Sequence, residues 1–171
     1  TLNFAAGGSL SQTISVSVNG DTTVETDEIF YLDLSNCINC VIADSQGIAT
    51  ITSEELPPTI TINDISITEG NSGTKNFVFT ISRSDNLTPL SVQYKTTDGT
   101  ATSSDYTAVS LSTLTFASGG AISRTVNVSV NGDTAAETDE TFYLDLSNCT
   151  GCVIADSQGM GTIISDELLP N

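Results

Sequence analysis

The chain has 171 residues, 38% of them hydrophobic, enough for a packed core in one or two domains, and 21 acidic residues against 4 basic ones leave a formal charge of −17. That balance argues against nucleic acid and anionic membrane as partners and in favour of cations, and no apolar run reaches the length of a membrane span. With no His and no Trp, and Thr, Ser, Val, Ile, Asn and Gly dominant, the composition is that of strands joined by turns, an all-β chain.

Slid against itself, the sequence from Thr1 to Pro58 matches Thr113 to Pro170 without a gap at an offset of 112, with about seven in ten positions identical. The chain therefore reads as one and a half copies of a module. Residues 1–56 are the second half of a copy, 57–59 a short Pro-rich linker, 60–168 a complete copy, and 169–171 the start of the next linker. Thr1 opens without an initiator Met or a charged leader, so a mature segment or a piece of a longer array is expected.

The half copy comes first. It carries the counterparts of the last four strands of the full copy and lacks the first three, which leaves half its core and its strand edges open. A preceding part of a longer chain, or a neighbouring molecule, is expected to supply them. Within it stand "NGDTTVETDE" at 19–28, "CINC" at 37–40 and "TSEELPP" at 52–58.

Seven strands are expected in the full copy, at 60–67, 76–83, 89–97, 111–116, 121–130, 140–147 and 158–165, separated by turn signals such as "EGNSG", "DGTA" and "NGD". Alternation carries most of them: Phe77, Phe79, Ile81; Leu90, Val92, Tyr94; Val126, Val128, Val130; Phe142, Leu144, Leu146. In "TITINDISIT" the apolar set changes phase between Ile62 and Ile65, which predicts a bulge or kink at Asn63 and Asp64. Seven short alternating strands read as an immunoglobulin-like antiparallel sandwich, repeated in tandem.

"NGDTAAETDE" at 131–140 places four acids in its last eight positions. In an antiparallel sandwich the ends of strands one, three, six and seven can meet at one pole, and those ends carry Glu69, Asp98, Glu140 and Asp166. Like charges so gathered repel unless a cation joins them, and calcium takes six to eight oxygen ligands from carboxylates and backbone carbonyls. Magnesium prefers fewer protein ligands and a tighter octahedron. Each copy also has one Cys-X-X-Cys pair, Cys37 with Cys40 and Cys149 with Cys152, in the turn between the last two strands. A zinc ribbon needs two such pairs close together, and a thioredoxin-type site needs a helix after the first Cys, so a disulfide within each pair and an oxidising, extracellular setting are expected. No nucleophile motif or convergent acid and base is visible, so no enzyme is expected.

In order along the chain, "ITEGNSGTKNFVFTISR", "VQYKTTDGTATSSDYT", "LTFASGG", "VNVSVNGDTAAETDETFYLDLS" and "GTIISDE" resemble the successive signatures of a Calx-beta domain. The resemblance covers 60–167 and, in its second half, 1–55. It implies a seven-stranded sandwich with calcium in the loops at one end. The implied ligands are Glu69, Asp98, Asp133, Glu137, Glu140, Asp166 and Glu167, with the backbone carbonyl of Ala135. In the half copy they are Asp21, Glu25, Glu28, Glu54 and Glu55, with Thr23 as the carbonyl. Gly132, Thr134 and Ser165 stand where more acidic members carry further acids, which implies about one to three ions per site.

The linkers directly follow the last acids, so calcium held there is expected to stiffen the junction between modules. A structural calcium-binding repeat of a secreted or surface protein is the expected function, as an adhesin or a filament subunit. Its expected partners are neighbouring modules of the same chain or of identical subunits, with no membrane insertion. The alternatives are a calcium-sensing regulatory module of a membrane transporter or receptor, suggested by relatives in the family, and an accessory domain of a secreted enzyme.

Overall fold

The computed structural model describes residues 1–167, in two compact units divided between Glu55 and Leu56. The expected end of the full copy at 168 and the linker start at 169–171 lie outside the described residues.

In the first unit β1 (Glu28–Asp33) and β2 (Gln46–Ile51) form an antiparallel pair with Phe30 opposite Ala49. Residues 1–27 hold no strand, so two of the four strands expected in the half copy are absent. The second unit supplies the physical reason.

There β3 (Thr59–Ile62), β4 (Ile65–Thr68), β5 (Thr74–Arg83), β6 (Leu90–Asp98), β7 (Ser112–Phe116), β8 (Ser123–Asn131), β9 (Glu140–Thr150), β10 (Val153–Ile154) and β11 (Gln158–Ile164) build two sheets, in the orders β10-β3-β5-β8 and β4-β11-β9-β6-β7. β8 pairs only with β5 among the named strands, and β7 only with β6. Both partners belong to the first half of the module, so their counterparts in residues 1–27 have no ladder to join. β9 and β11 pair with each other, and β1 and β2 reproduce that register, Phe142 opposite Gly161 answering Phe30 opposite Ala49. The strands that persist in the half copy are those whose hydrogen-bonding partner comes with it.

The expected first strand is two. β3 lies in one sheet, parallel to β10, and β4 in the other, parallel to β11. The phase change at Asn63 and Asp64 is thus a crossing between sheets, and it brings two parallel ladders into a sandwich whose other pairs are antiparallel. Side chains hold the crossing: Thr80 N–H donates to Asn63 Oδ1 and Met160 N–H to Asp64 Oδ1.

Alternation sends Phe77, Phe79, Ile81, Val126, Val128 and Val130 from one sheet, and Leu90, Val92, Phe142, Leu144 and Leu146 from the other, into one core. Phe142 sits at its centre, 5.5 Å from the Phe77 ring, 5.9 Å from Phe79 and stacked on Tyr106 at 4.5 Å. Tyr106 closes the core toward the acidic pole, and its hydroxyl donates to Asp98 Oδ1 at 2.5 Å.

Candidate metal centre

Four segments reach the same pole: the turn after β4, the loop after β6, the loop between β8 and β9, and the residues after β11. Backbone contacts fix them against one another. Glu69 N–H donates to the Ile164 carbonyl at 3.1 Å, Gly132 N–H to Gly73 at 2.9 Å and Asn131 N–H to Asp105 at 2.8 Å. A Cβ on Gly132 would collide with the carbonyl of Gly70 and crowd that of Glu69, so no side chain fits at this turn.

Two groups of carboxylates result, Glu69 with Asp166 and Glu167, and Asp105 with Glu137 and Glu140, their oxygens within 4.8 Å of one another in each group. Glu69 is only 4% exposed. Burial, then the charges of Asp133, Glu137, Glu167 and Asp166, push its carboxyl up to about 7. Burial, then Asp105, Glu137 and Glu69, push Glu140 up to about 7. Glu137 acts on both, so the two groups share one field. Asp105 goes the other way. Burial works to raise it, but the Thr102 N–H at 2.7 Å and the hydroxyls of Ser104 and Thr102 outweigh burial and hold it below the usual carboxylate range.

Of the residues expected from sequence, Glu69, Glu137, Glu140, Asp166 and Glu167 fall into these groups. Asp133 borders Glu69 and accepts the Ala135 N–H at 2.6 Å, a turn that leaves the Ala135 side chain exposed. Asp98 belongs to neither group: it accepts the Tyr106 hydroxyl instead. Asp105 was not among the expected ligands. Its one sequence signal is its place directly before Tyr106 in "SDY" at 104–106.

Asp139, the remaining acid of the motif, falls in neither group. Asp139 Oδ1 accepts the Ser165 N–H at 3.3 Å and so ties the loop to the last strand. The two other strand-end acids are positioned by hydrogen bonds. Gly70 N–H donates to Asp166 Oδ1 at 2.8 Å, and the Asn71 amide to Glu167 Oε1 at 2.6 Å.

The half copy repeats the bonds internal to its own segments. Ser53 N–H donates to Asp27 at 3.1 Å, the Ser53 hydroxyl to Glu55 at 3.2 Å and Thr23 N–H to Asp21 at 2.7 Å. Asp21, Thr23, Glu25, Glu28, Glu54 and Glu55 line one cavity of about 220 Å³. Among the described residues, no three of these acids gather as the two groups above do.

The gathered groups offer hard carboxylate oxygens only, a set that suits a hard divalent cation and not a thiophilic metal. The cysteines are otherwise engaged: Cys37 with Cys40 and Cys149 with Cys152 form disulfides, each with Cα atoms 5.5 Å apart. Asn36 and Asn148, each one residue before its pair, take left-handed backbone conformations, φ 55° and 47°, that turn the chain at the tip.

The family model for the Calx-beta domain matches residues 1–57 and 58–167. Among solved structures, the apo form of the Calx CBD1 domain is 25% identical at a TM-score of 0.57, over 64% of this chain and 97% of that one. The Calx CBD2 domain is 14% identical at 0.55, over 63% of this chain and 86% of that one. The calcium binding domain CBD12 of CALX1.1 is 24% identical at 0.55, over 63% of this chain but only 45% of that one, so the similarity spans less than half of that structure. No curated protein matches the sequence.

Proposed function

The chain belongs to the Calx-beta domain family, and from that premise we propose that it is a calcium-binding structural repeat of a secreted or surface protein, an adhesin or filament subunit, in which calcium stiffens the junctions between modules. The observation that carries this reading is the pair of carboxylate groups gathered from four sequence-distant segments at one pole. Glu69, Asp166 and Glu167 would hold one ion, with Asp133 beside them, and Asp105, Glu137 and Glu140 a second. Bound calcium supplies the positive charge that turns their repulsion into cohesion. The carboxyls of Glu69 and Glu140, held up near 7 without an ion, give up their protons to bind it.

Glu54 and Glu55 directly precede Leu56–Pro57–Pro58, a short segment stiffened by two prolines. Ordering the strand end removes freedom where the next module begins. The two disulfides support an oxidising, extracellular setting. The module is a binder rather than an enzyme on this reading, its perturbed carboxylates collected at strand ends and not set across a cleft. Calorimetric titration with calcium, and melting in calcium against a chelator, test it. Saturable binding with a rise in melting temperature is expected, and a chain of several modules should stiffen with the same midpoint. No heat and no shift would reject it.

The likeness to an isolated Calx CBD1 domain over one module's length favours a second reading, a calcium-sensing regulatory module of a membrane transporter or receptor. Affinity separates the two: sensors bind at about 10⁻⁷ to 10⁻⁵ M and extracellular modules at about 10⁻⁴ to 10⁻³ M.

A further inference from the structure

Both Cys-X-X-Cys tips take the same backbone path. The residue before the first Cys and the residue before the second are left-handed in each, Asn36 and Asn39 at φ 55° and 61°, Asn148 and Gly151 at 47° and 74°. Non-glycine residues adopt that region at a cost, and closing a ring across two residues stabilises the fold little in return. Such a disulfide is one that a thiol can open. A strand, β10, and not a helix follows Cys149 and Cys152, so the pair lacks the helix-end field that makes a thioredoxin-type thiolate a reagent. Its chemistry is that of an acceptor.

The tip of the second unit stands beside a cleft. Cys152 Sγ lies 3.9 Å from the Ser91 carbonyl oxygen and 3.7 Å from that of Thr150, and a Cβ on Gly151 would come within 3.1 Å of the Pro89 carbonyl. Pro89, Ser91 and Thr150 line a cleft of about 400 Å³ with Leu90, Phe116 and Ala117, bounded by the start of β6, the end of β7 and the tip. Its walls are mostly apolar. Thr150 is paired with Ser91, and Val153 N–H donates to the Pro58 carbonyl at 2.9 Å, so the chain is anchored on both sides of the ring. The ring can open while both sheets stay intact.

We infer that the Cys149–Cys152 tip and its cleft form a thiol-exchange site, which takes a cysteine of another protein, flanked by apolar residues, into a mixed disulfide. The partner's thiolate attacks Cys152 Sγ, a bond from the partner's sulfur to Cys152 forms as the Cys149–Cys152 bond breaks, and the electron pair leaves on Cys149 Sγ, which takes a proton from water. No oxidant is consumed. The carbonyl oxygens of Ser91 and Thr150 lie against Cys152 and would repel a thiolate there, so the charge departs on Cys149. A second copy of this chain brings no thiol, because all four cysteines are already paired. The formal charge of −17 disfavours small anionic thiols as well. The cleft supplies the remaining selectivity, since an apolar side chain next to the attacking sulfur is buried in it. Calcium has no part in the step, so the site stands apart from the metal centre.

The test mixes the folded 171-residue chain separately with a short peptide carrying one cysteine between leucines, with the same peptide carrying serines for the leucines, and with 2-mercaptoethanol. Iodoacetamide stops each reaction early, and peptide mapping by mass spectrometry locates the adduct and the alkylated cysteine. The leucine peptide should join Cys152, with the alkyl group on Cys149, about tenfold or more faster than the serine peptide, the fold-change that burial of one apolar side chain supplies. Ala117→Glu places a charge at an exposed position of the cleft wall. It should remove the preference between the peptides and leave the 2-mercaptoethanol rate unchanged. Equal rates for the two peptides overturn the inference, as does a preference that survives Ala117→Glu. So does an adduct on Cys149, or a Cys149–Cys152 bond that opens only in denaturant.

Discussion

Asp98 and Asp105 lie seven positions apart, one at the end of β6 and one in the loop that follows, yet they make different contacts. Asp98 accepts the hydroxyl of Tyr106, whose ring stacks on Phe142, while Asp105 is held by Thr102 beside Glu137 and Glu140. Asp105→Asn should therefore weaken calcium binding by about tenfold or more, and Asp98→Asn should leave the affinity unchanged in the same titration. Tyr106→Phe removes only the hydroxyl and should cost about 1 kcal/mol of stability, read from chemical denaturation. The raised carboxyls of Glu69 and Glu140 give the metal-free protein a definite pH response. With ordinary values of 4.5 and folded values of about 7, the folded state binds more protons than the unfolded chain between those limits. The metal-free melting temperature should then fall as pH rises from about 4.5 to about 7 and level off above, while calcium affinity climbs over the same interval. A flat metal-free profile would show that the two carboxyls are not strained as described. Glu69→Gln should have opposite effects on the two forms, raising metal-free stability and shrinking the calcium-induced shift.

At the scale of elements, the alternation of single strands was legible because it depends only on which residues seek the core. Phe77-Phe79-Ile81 and Phe142-Leu144-Leu146 sit in β5 and β9 as their pattern requires. Which sheet a strand joins was not legible at Asn63 and Asp64. The change of phase signals a break, but only the positions of β10 and β11 decide that β3 and β4 part to opposite sheets. The cysteine pairs act locally. Cys149 is on β9 and Cys152 just before β10, and a ring closed over so few residues restrains little of the unfolded chain. Replacing both by Ser should cost about 2 kcal/mol or less, with faster amide exchange confined to the tip between β9 and β10 and no change in calcium affinity.

For the whole molecule, the repeat sets an expectation about cooperativity. One complete module and one uncovered half should give a single calorimetric transition of about 80 kcal/mol, the value for roughly 110 residues, rather than the about 120 kcal/mol of a chain folded throughout. Calcium should move that transition upward. A second cooperative transition belonging to residues 1–55 would contradict that expectation. Phe142→Ala, which empties the centre of the core of the second unit, should cost about 3 to 5 kcal/mol and abolish much of the transition at physiological temperature.

Composition, alternation and the 112-residue offset by themselves determined an all-β sandwich, its repeat and the acid-rich strand ends, because each of these is a property of residue type and spacing along one chain. The tertiary structure alone decided that Asp105 and not Asp98 joins Glu137 and Glu140, that Asp139 ties its loop to the segment after β11, and that residues 1–27 form no strand. Each of those outcomes depends on a partner brought near by folding, the Tyr106 hydroxyl, the Ser165 amide, or a β5 and β6 that the half copy does not contain, and local sequence carries no information about which partner arrives.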